Sequence, residues 1–319
     1  MTDCDAVGVL ALAGGVGGAK LAAGLAPLLG KRLTVLVNTA DDFEHLGLHI
    51  SPDLDTVMYT LAGIANPQSG WGIAGETWTF MDQVAKLGGP AWFRLGDRDL
   101  ATHAIRTQLR RGGKTLTGVT ADLCHALGVA ANVLPMTDDR VRTIVHSQEQ
   151  RLGFQDYFVR LKCAVPVTGL SFEGATEARF NPRIGRLAEP PARPIVIICP
   201  SNPYLSIDPI LALPGLRNWL KAKAKVIVAV SPIVGGAALK GPAAKIMREL
   251  GIEPCAAAVA AHYRGLIEGL VIDEVDARQR DAIVATGVAV RVAQTVMRSI
   301  EDRTALAREC LAFAAQLQP

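Results

Sequence analysis

The 319-residue chain lacks a long uninterrupted hydrophobic run. Its apolar stretches are broken by Gly or Pro, and VIVAVSPIVGGAAL at 226–239 has 14 residues against the roughly 20 needed to span a bilayer. No CxxC pair occurs among the six cysteines, and a chain of this size needs no disulfide staple, so structural thiols in a reducing compartment are expected. The start, MTDCDAVGVLALAGG, has acidic residues and no basic stretch before its apolar run, unlike a secretory signal. A cytoplasmic protein without membrane contact is expected. Excess charge of one sign is also missing: 33 Lys and Arg against 30 Asp and Glu leave +3, too little for a non-specific nucleic-acid surface. What the chain has is 50% hydrophobic residues, 20% charged residues and 31 glycines. That composition excludes wholesale disorder. The length suits about two domains, or one large domain with an insertion.

VGVLALA at 7–13 reads as a short strand, GGVGGAK as a turn, 19–29 as a helix and LTVLV at 33–37 as a second strand. Short strands apolar on both faces indicate a parallel sheet. From 53 to 127 the pattern is mainly helical, with helices expected at 53–64, 76–87, 99–110 and 117–127. Residues 141–166 suggest strands and an edge hairpin, and 171–194 a Pro- and Arg-rich loop around a ligand or between lobes. The α/β pattern returns with IVIIC at 195–199 and VIVAV at 226–230. A helix at 242–250, strands at 270–273 and 285–292, and a terminal helix at 301–317 follow. The expected architecture is α/β, a Rossmann-like, mostly parallel sheet. Its discontinuous nucleotide-binding domain comprises 1–52 and 128–319, interrupted by a mainly helical insertion at 53–127.

Gly14, Gly15, Gly17, Gly18 and Lys20 follow a strand and open a helix. Such a turn lets backbone N–H groups approach a phosphate, with Lys20 adding charge. The motif is neither a full Walker A nor a full GxGxxG, and the same glycines also suit close helix–sheet packing. The second strand ends in NTADDFEHLGLHISPDLDT, which offers Asp41, Asp42, Asp53 and Asp55. Clustered carboxylates beside a phosphate loop suit a hard divalent cation, with Asp42 and Asp53 the leading ligands; helix and turn capping is the alternative. His45 and His49 have no thiol nearby and do not suggest zinc. Trp71, Trp78 and Trp92 would form an aromatic wall or fill a core. Asp97 and Arg98, in GDRD before a helix, would cap it or hold an anion. Ser201, Asn202, Gly235 and Gly236 follow β-type runs at positions that suit a second phosphate or ordinary turns.

In order, LAGGVGGAKL, NTADD, HISPDLDTVMYTL, GWGIAGETW, WFRLGDRDLATH, PSNPYLSI and SPIVGG resemble the CofD/FbiA family, the 2-phospho-L-lactate transferases of coenzyme F420 biosynthesis. The resemblance runs over nearly the whole chain. It implies a Rossmann-like fold with a helical insertion forming part of the pocket for the deazaflavin Fo. It also implies Mg²⁺ dependence, a homodimer, and transfer of a phosphate-linked three-carbon acid from a guanosine diphosphate conjugate to the terminal hydroxyl of Fo, releasing GMP. On this chain the resemblance implies Gly14 to Lys20 in the nucleotide pocket and Asp42 and Asp53 as metal-binding acids. Asp42 is a candidate base, and Asp97, Arg98 and Asn202 are expected at the substrate surface. A ligand-binding protein similar to the gluconeogenesis factors and a dinucleotide-dependent oxidoreductase are the competing classes.

Overall fold

The computed structural model describes residues 8–148, 150–189 and 193–317. The expectations about Cys4 and residues 1–7 fall outside these ranges. Strand β1 (Val9–Ala13) leads through Gly14 into α1 (Gly15–Leu29), and β2 (Leu33–Val37) lies parallel beside β1. A hairpin of β3 (Phe43–His45) and β4 (Leu48–Ile50) then precedes α2 (Pro52–Leu61), whose first turn carries Pro52, Asp53 and Asp55. Proline is favoured there because its missing N–H would have no helical partner, and the acids face the positive end of the helix. Helices α3 (Thr79–Lys86), α4 (Asp97–Arg111) and α5 (Leu116–Ala126) complete the crossover to β5 (Asn132–Pro135), which pairs with β2.

Strands β6 (Arg142–Ser147), β7 (Gln150–Gly153) and β8 (Gly169–Glu173) make a separate antiparallel sheet. The hairpin expected at 141–166 is therefore present, and the reading of 171–194 as loop missed the strand at its start. The main sheet resumes with β9 (Ile195–Ile198), which precedes α6 (Asp208–Leu211), α7 (Leu216–Lys223) and β10 (Val226–Val230). The chain ends with the short hairpin of β11 (Ile233–Val234) and β12 (Ala237–Ala238), then α8 (Ala243–Glu249), α9 (Ala256–His262), β13 (Gly269–Asp273), α10 (Arg280–Val284), β14 (Ala289–Ala293) and α11 (Ile300–Gln316).

The seven-stranded sheet runs β14-β13-β10-β9-β1-β2-β5, and every neighbouring pair is parallel. This is the doubly wound order, with the direction of winding reversing between β1 and β9. Alternation explains why both faces are buried. Leu10, Leu12, Val196 and Ile198 join one apolar cluster, while Val9, Ala11, Ala13, Ile195 and Ile197 join the other. Burial of each such Val, Leu or Ile side chain contributes about 1.5–3 kcal/mol. The segment 53–127 does not pack as one body: α2 and α5 share the cluster that contains α1. Its middle supplies Met81 and Leu95 to a small cluster with Ile50, Phe43 and Phe93. Among the described residues, no helix is long and apolar enough to cross a membrane.

Candidate active site at the switch point

A cavity of about 620 Å³ opens where β1 and β9 diverge, the position at which an open α/β sheet receives ligands. Gly14, Gly15, Val16, Gly17 and Lys20 line one side, with Pro200, Ser201, Asn202 and Ser206 opposite. Ser201 joins the two loops: its Oγ accepts from Gly14 N–H at 3.1 Å and donates to Gly14 O at 2.8 Å. Asn202 turns its side chain back onto its own chain, where Oδ1 accepts from Tyr204 and Leu205 N–H.

The glycines have different causes. Gly15 has φ +60°, a region that costs an L side chain about 1–2 kcal/mol. A Cβ on Gly17 would overlap the Pro200 carbonyl, and one on Gly18 the Ser201 hydroxyl. Gly18 does not line the cavity, so its smallness serves helix packing. Lys20 does reach the cavity wall, and its Nζ donates to Met297 O at 2.8 Å. Burial, with Arg303 and Lys240 nearby, lowers the pKa of this ammonium.

Behind the glycine turn lies a carboxylate cluster. Asp53 Oδ1 accepts from Gly15 N–H at 2.7 Å, while Asn38 Nδ2 donates to both Asp53 Oδ2 and Asp41 Oδ2 at 3.1 Å. Burial pushes Asp53 up to about 6, with Asp42 adding repulsion and the bonds from Asn38 and Gly15 opposing it. Burial, then repulsion from Asp53, raises Asp41 well above the carboxylate range. Asp41 and Asp53 line the cavity. Asp42 does not: its Oδ2 accepts from Ser51 Oγ at 2.7 Å and lies 3.3 Å from His49 Nε2. The buried oxygen Asp42 Oδ1 has no hydrogen-bond partner, and Asp41 faces only Asn38 and the Thr143 hydroxyl. Crowded, under-satisfied carboxylates on hard oxygen donors are the chemistry that a divalent cation completes.

The expected substrate surface is arranged differently. Asp97 accepts from Thr77 Oγ1 and from the N–H groups of Thr79 and Phe80, so it caps α3. Arg98 donates Nη1 to Ala74 O at 3.0 Å. Neither lines the cavity. Gly235 and Gly236 have φ +57° and +78° in the two-residue turn between β11 and β12, the hairpin conformation glycine favours. Neither lines the cavity, although the preceding residue, Val234, does. Of the three tryptophans only Trp71 reaches the cavity, 52% exposed at its rim. Trp92 packs with Phe43, His45 and Phe93, and Trp78 lies under the Arg94 guanidinium.

Two wall segments had no counterpart in the sequence reading. Phe154 and Phe158 stack at 5.3 Å and 12° and line the cavity with Gln155 and Val159. Residues Thr295 to Arg298 form another wall, held where Asp273 Oδ2 accepts from Thr295 N–H at 2.9 Å and Oγ1 at 2.8 Å. A third group, Asp55, Tyr59, Asp99 and His103, also faces the cavity.

Residues 9–304 match the 2-phospho-L-lactate transferase CofD family. A phosphoenolpyruvate transferase from Kitasatospora aureofaciens is 41% identical, aligned over 97% of this chain and 98% of its own. A 2-phospho-L-lactate transferase from Methanosarcina mazei is 39% identical, aligned over 94% of this chain and 98% of its own. In fold the chain is similar to a crystal structure of a UPF0052 family member from Bacillus halodurans. That structure has a TM-score of 0.62 and 13% identity, and the match covers 96% of this chain and 98% of that one. The strand order, the glycine turn and the near-complete family match together establish that this chain belongs to the 2-phospho-L-lactate transferase CofD family.

Proposed function

We propose that the protein transfers a phosphate-linked three-carbon acid from a guanosine diphosphate conjugate to the terminal hydroxyl of a deazaflavin of the Fo type, releasing GMP. The observation carrying this reading is a single cavity with a phosphate-binding end and an aromatic end. At the first end, Val16 and Gly17 stand in the opening turn of α1 and Lys20 supplies a cation, a suitable cradle for a pyrophosphate. At the other, Trp71, Phe93, Phe154 and Phe158 offer apolar faces to a planar ring.

Asp53 and Asp41 are the carboxylates placed to hold Mg²⁺, with Asp42 behind them. When bound there, the ion would neutralise charge on the transferring phosphoryl group. The chain's own residues orient the reaction. The α1 amides and Lys20 hold the nonbridging oxygens, and the aromatic wall fixes the acceptor so that its hydroxyl meets phosphorus in line. The new bond joins the acceptor oxygen to phosphorus, the bond from phosphorus to GMP breaks, and the hydroxyl proton leaves to a base. Asp42, expected from sequence as that base, is turned toward Ser51 and His49 and away from a ligand in the cavity. The donor acid is proposed as 2-phospholactyl, enolpyruvyl phosphate or 3-phosphoglyceryl; relatives bearing the first two names are about equally similar to this chain.

Titration with Fo, followed by its fluorescence, tests the reading. Saturable binding that tightens when GDP and Mg²⁺ are present is expected. A protein that binds GDP but shows no effect of Fo belongs instead to a nucleotide-binding, non-transferring class.

A further inference from the structure

Gln155 is the polar member of the wall that Phe154, Phe158 and Val159 otherwise make apolar, and the steps above do not use it. It opens the π-helical turn Asp156–Arg160, which carries Phe158 back onto Phe154. Tyr157, fully buried in the core, anchors that turn. Gln155 itself is 6% exposed, and its Nε2 donates to the main-chain oxygen of Asp41 at 3.2 Å. A carbonyl oxygen can only accept, so Nε2 is the atom that faces Asp41, and Oε1 occupies the other arm of the amide. Among the described residues nothing donates to Oε1, yet unlike Asp42 Oδ1 it is not sealed off. Because Gln155 lines the cavity, this accessible oxygen opens onto it.

An amide oxygen can only accept, so its partner is a hydrogen-bond donor or a cation. The position selects a cation. Gln155 is bonded to the main chain of Asp41, and the Asp41 carboxylate lines the same cavity together with Asp53. Two carboxylates already crowd that corner. A third would add repulsion, whereas an amide carbonyl adds a lone pair without charge. Hard divalent cations take carboxylate and amide oxygens together. We propose that Gln155 Oε1 is a neutral oxygen ligand of the divalent cation held by Asp41 and Asp53. This rests on the cation reading of those two acids and adds to it a ligand 114 residues from Asp41 in the chain. Such a ligand joins the loop after β2 to the Phe154–Phe158 wall, and thereby the charged end of the cavity to the aromatic one.

The test titrates Mn²⁺, a paramagnetic substitute for Mg²⁺, into the GDP-saturated protein and reads the free-ion EPR signal. Gln155→Met keeps the side-chain length but removes the oxygen, and should weaken Mn²⁺ binding about 10- to 100-fold. Gln155→Glu keeps an oxygen but cannot donate to Asp41 O. A ligand role predicts that this variant binds Mn²⁺ at least as tightly as wild type. A strut that only holds Asp41 in place predicts the same loss as in Gln155→Met. Equal losses in the two variants, or no loss in Gln155→Met, overturn the assignment alone; GDP binding reports folding in both. A further measurement needs no variant and decides the matter if neither folds. In wild type made with glutamine isotopically labelled at the side-chain carbonyl carbon, bound Mn²⁺ should show electron–nuclear coupling to that carbon, and its absence overturns the ligand role. If wild type binds no Mn²⁺, or Asp53→Asn binds it unchanged, the cation reading of Asp41 and Asp53 fails together with this inference.

Discussion

Replacing Asp53 by Asn tests the crowded carboxylates quantitatively. In the folded protein Asp53 keeps its proton up to about pH 6, against 3.8 for an unperturbed carboxyl. A raised aspartate favours the fold while protonated. Its contribution is thus complete below the unfolded pKa and is lost as pH rises through the folded one. The displacement of about 2 units corresponds to about 3 kcal/mol, of which about 2 kcal/mol is lost between pH 4.5 and 7.5. The substituted asparagine keeps an oxygen for Gly15 N–H but turns an amide toward Asn38 Nδ2. That is a pH-independent cost, while removing the Asp53 charge also relieves the repulsion that raises Asp41, which flattens the variant's profile further. Urea denaturation in EDTA across this pH range should show wild type losing about 2 kcal/mol relative to Asp53→Asn. At pH 7.5, Mg²⁺ at 100 times its Kd should restore about 2.7 kcal/mol to wild type and much less to the variant. Parallel pH profiles, or equal Mg²⁺ stabilisation of the two proteins, would refute the reasoning.

Other substitutions separate packing from binding. Arg106→Met leaves Asp55 buried without its partner and should cost about 3–5 kcal/mol in urea denaturation, largely recovered by adding Asp55→Leu. Gly17→Ala drives a Cβ into the Pro200 carbonyl and should cost about 1–3 kcal/mol by the same measurement, since helix and loop must separate. Trp71→Ala, at an exposed rim position, should change stability by less than about 0.5 kcal/mol. It should still weaken deazaflavin binding by the roughly 0.5–1.5 kcal/mol of a ring–ring contact, read by fluorescence titration.

The sheet was largely legible because its strands are short apolar runs buried on both faces, as in VLALA, LTVLV and VIVAV. The glycine turn was legible as a site, although Gly18 proves to be small for packing against Ser201. The phase of neighbouring acids was not: Asp41 and Asp42 differ only in which way the chain turns after β2, and that turn sends Asp41 to the cavity and Asp42 to Ser51. Trp71, Trp78 and Trp92 lie close in sequence, yet α3 and the β3–β4 hairpin divert two of them to other contacts. Phe154, Phe158 and the 295–298 wall escaped notice because they reach the cavity only through long-range folding, one beside the antiparallel sheet and one through Asp273. The Asp99–His103 pair was written in the GDRDLATH stretch, where its i, i+4 spacing on a helix was a usable signal.

The central claim is group transfer in the switch-point cavity. The most direct measurement incubates the protein with Fo, Mg²⁺ and each of three guanosine diphosphate conjugates, bearing 2-phospholactate, phosphoenolpyruvate or 3-phosphoglycerate, and detects products by mass. The account predicts GMP together with Fo enlarged by one phospho-acid for at least one donor, with loss of both products in Asp53→Asn. Unchanged Fo with all three donors would contradict it.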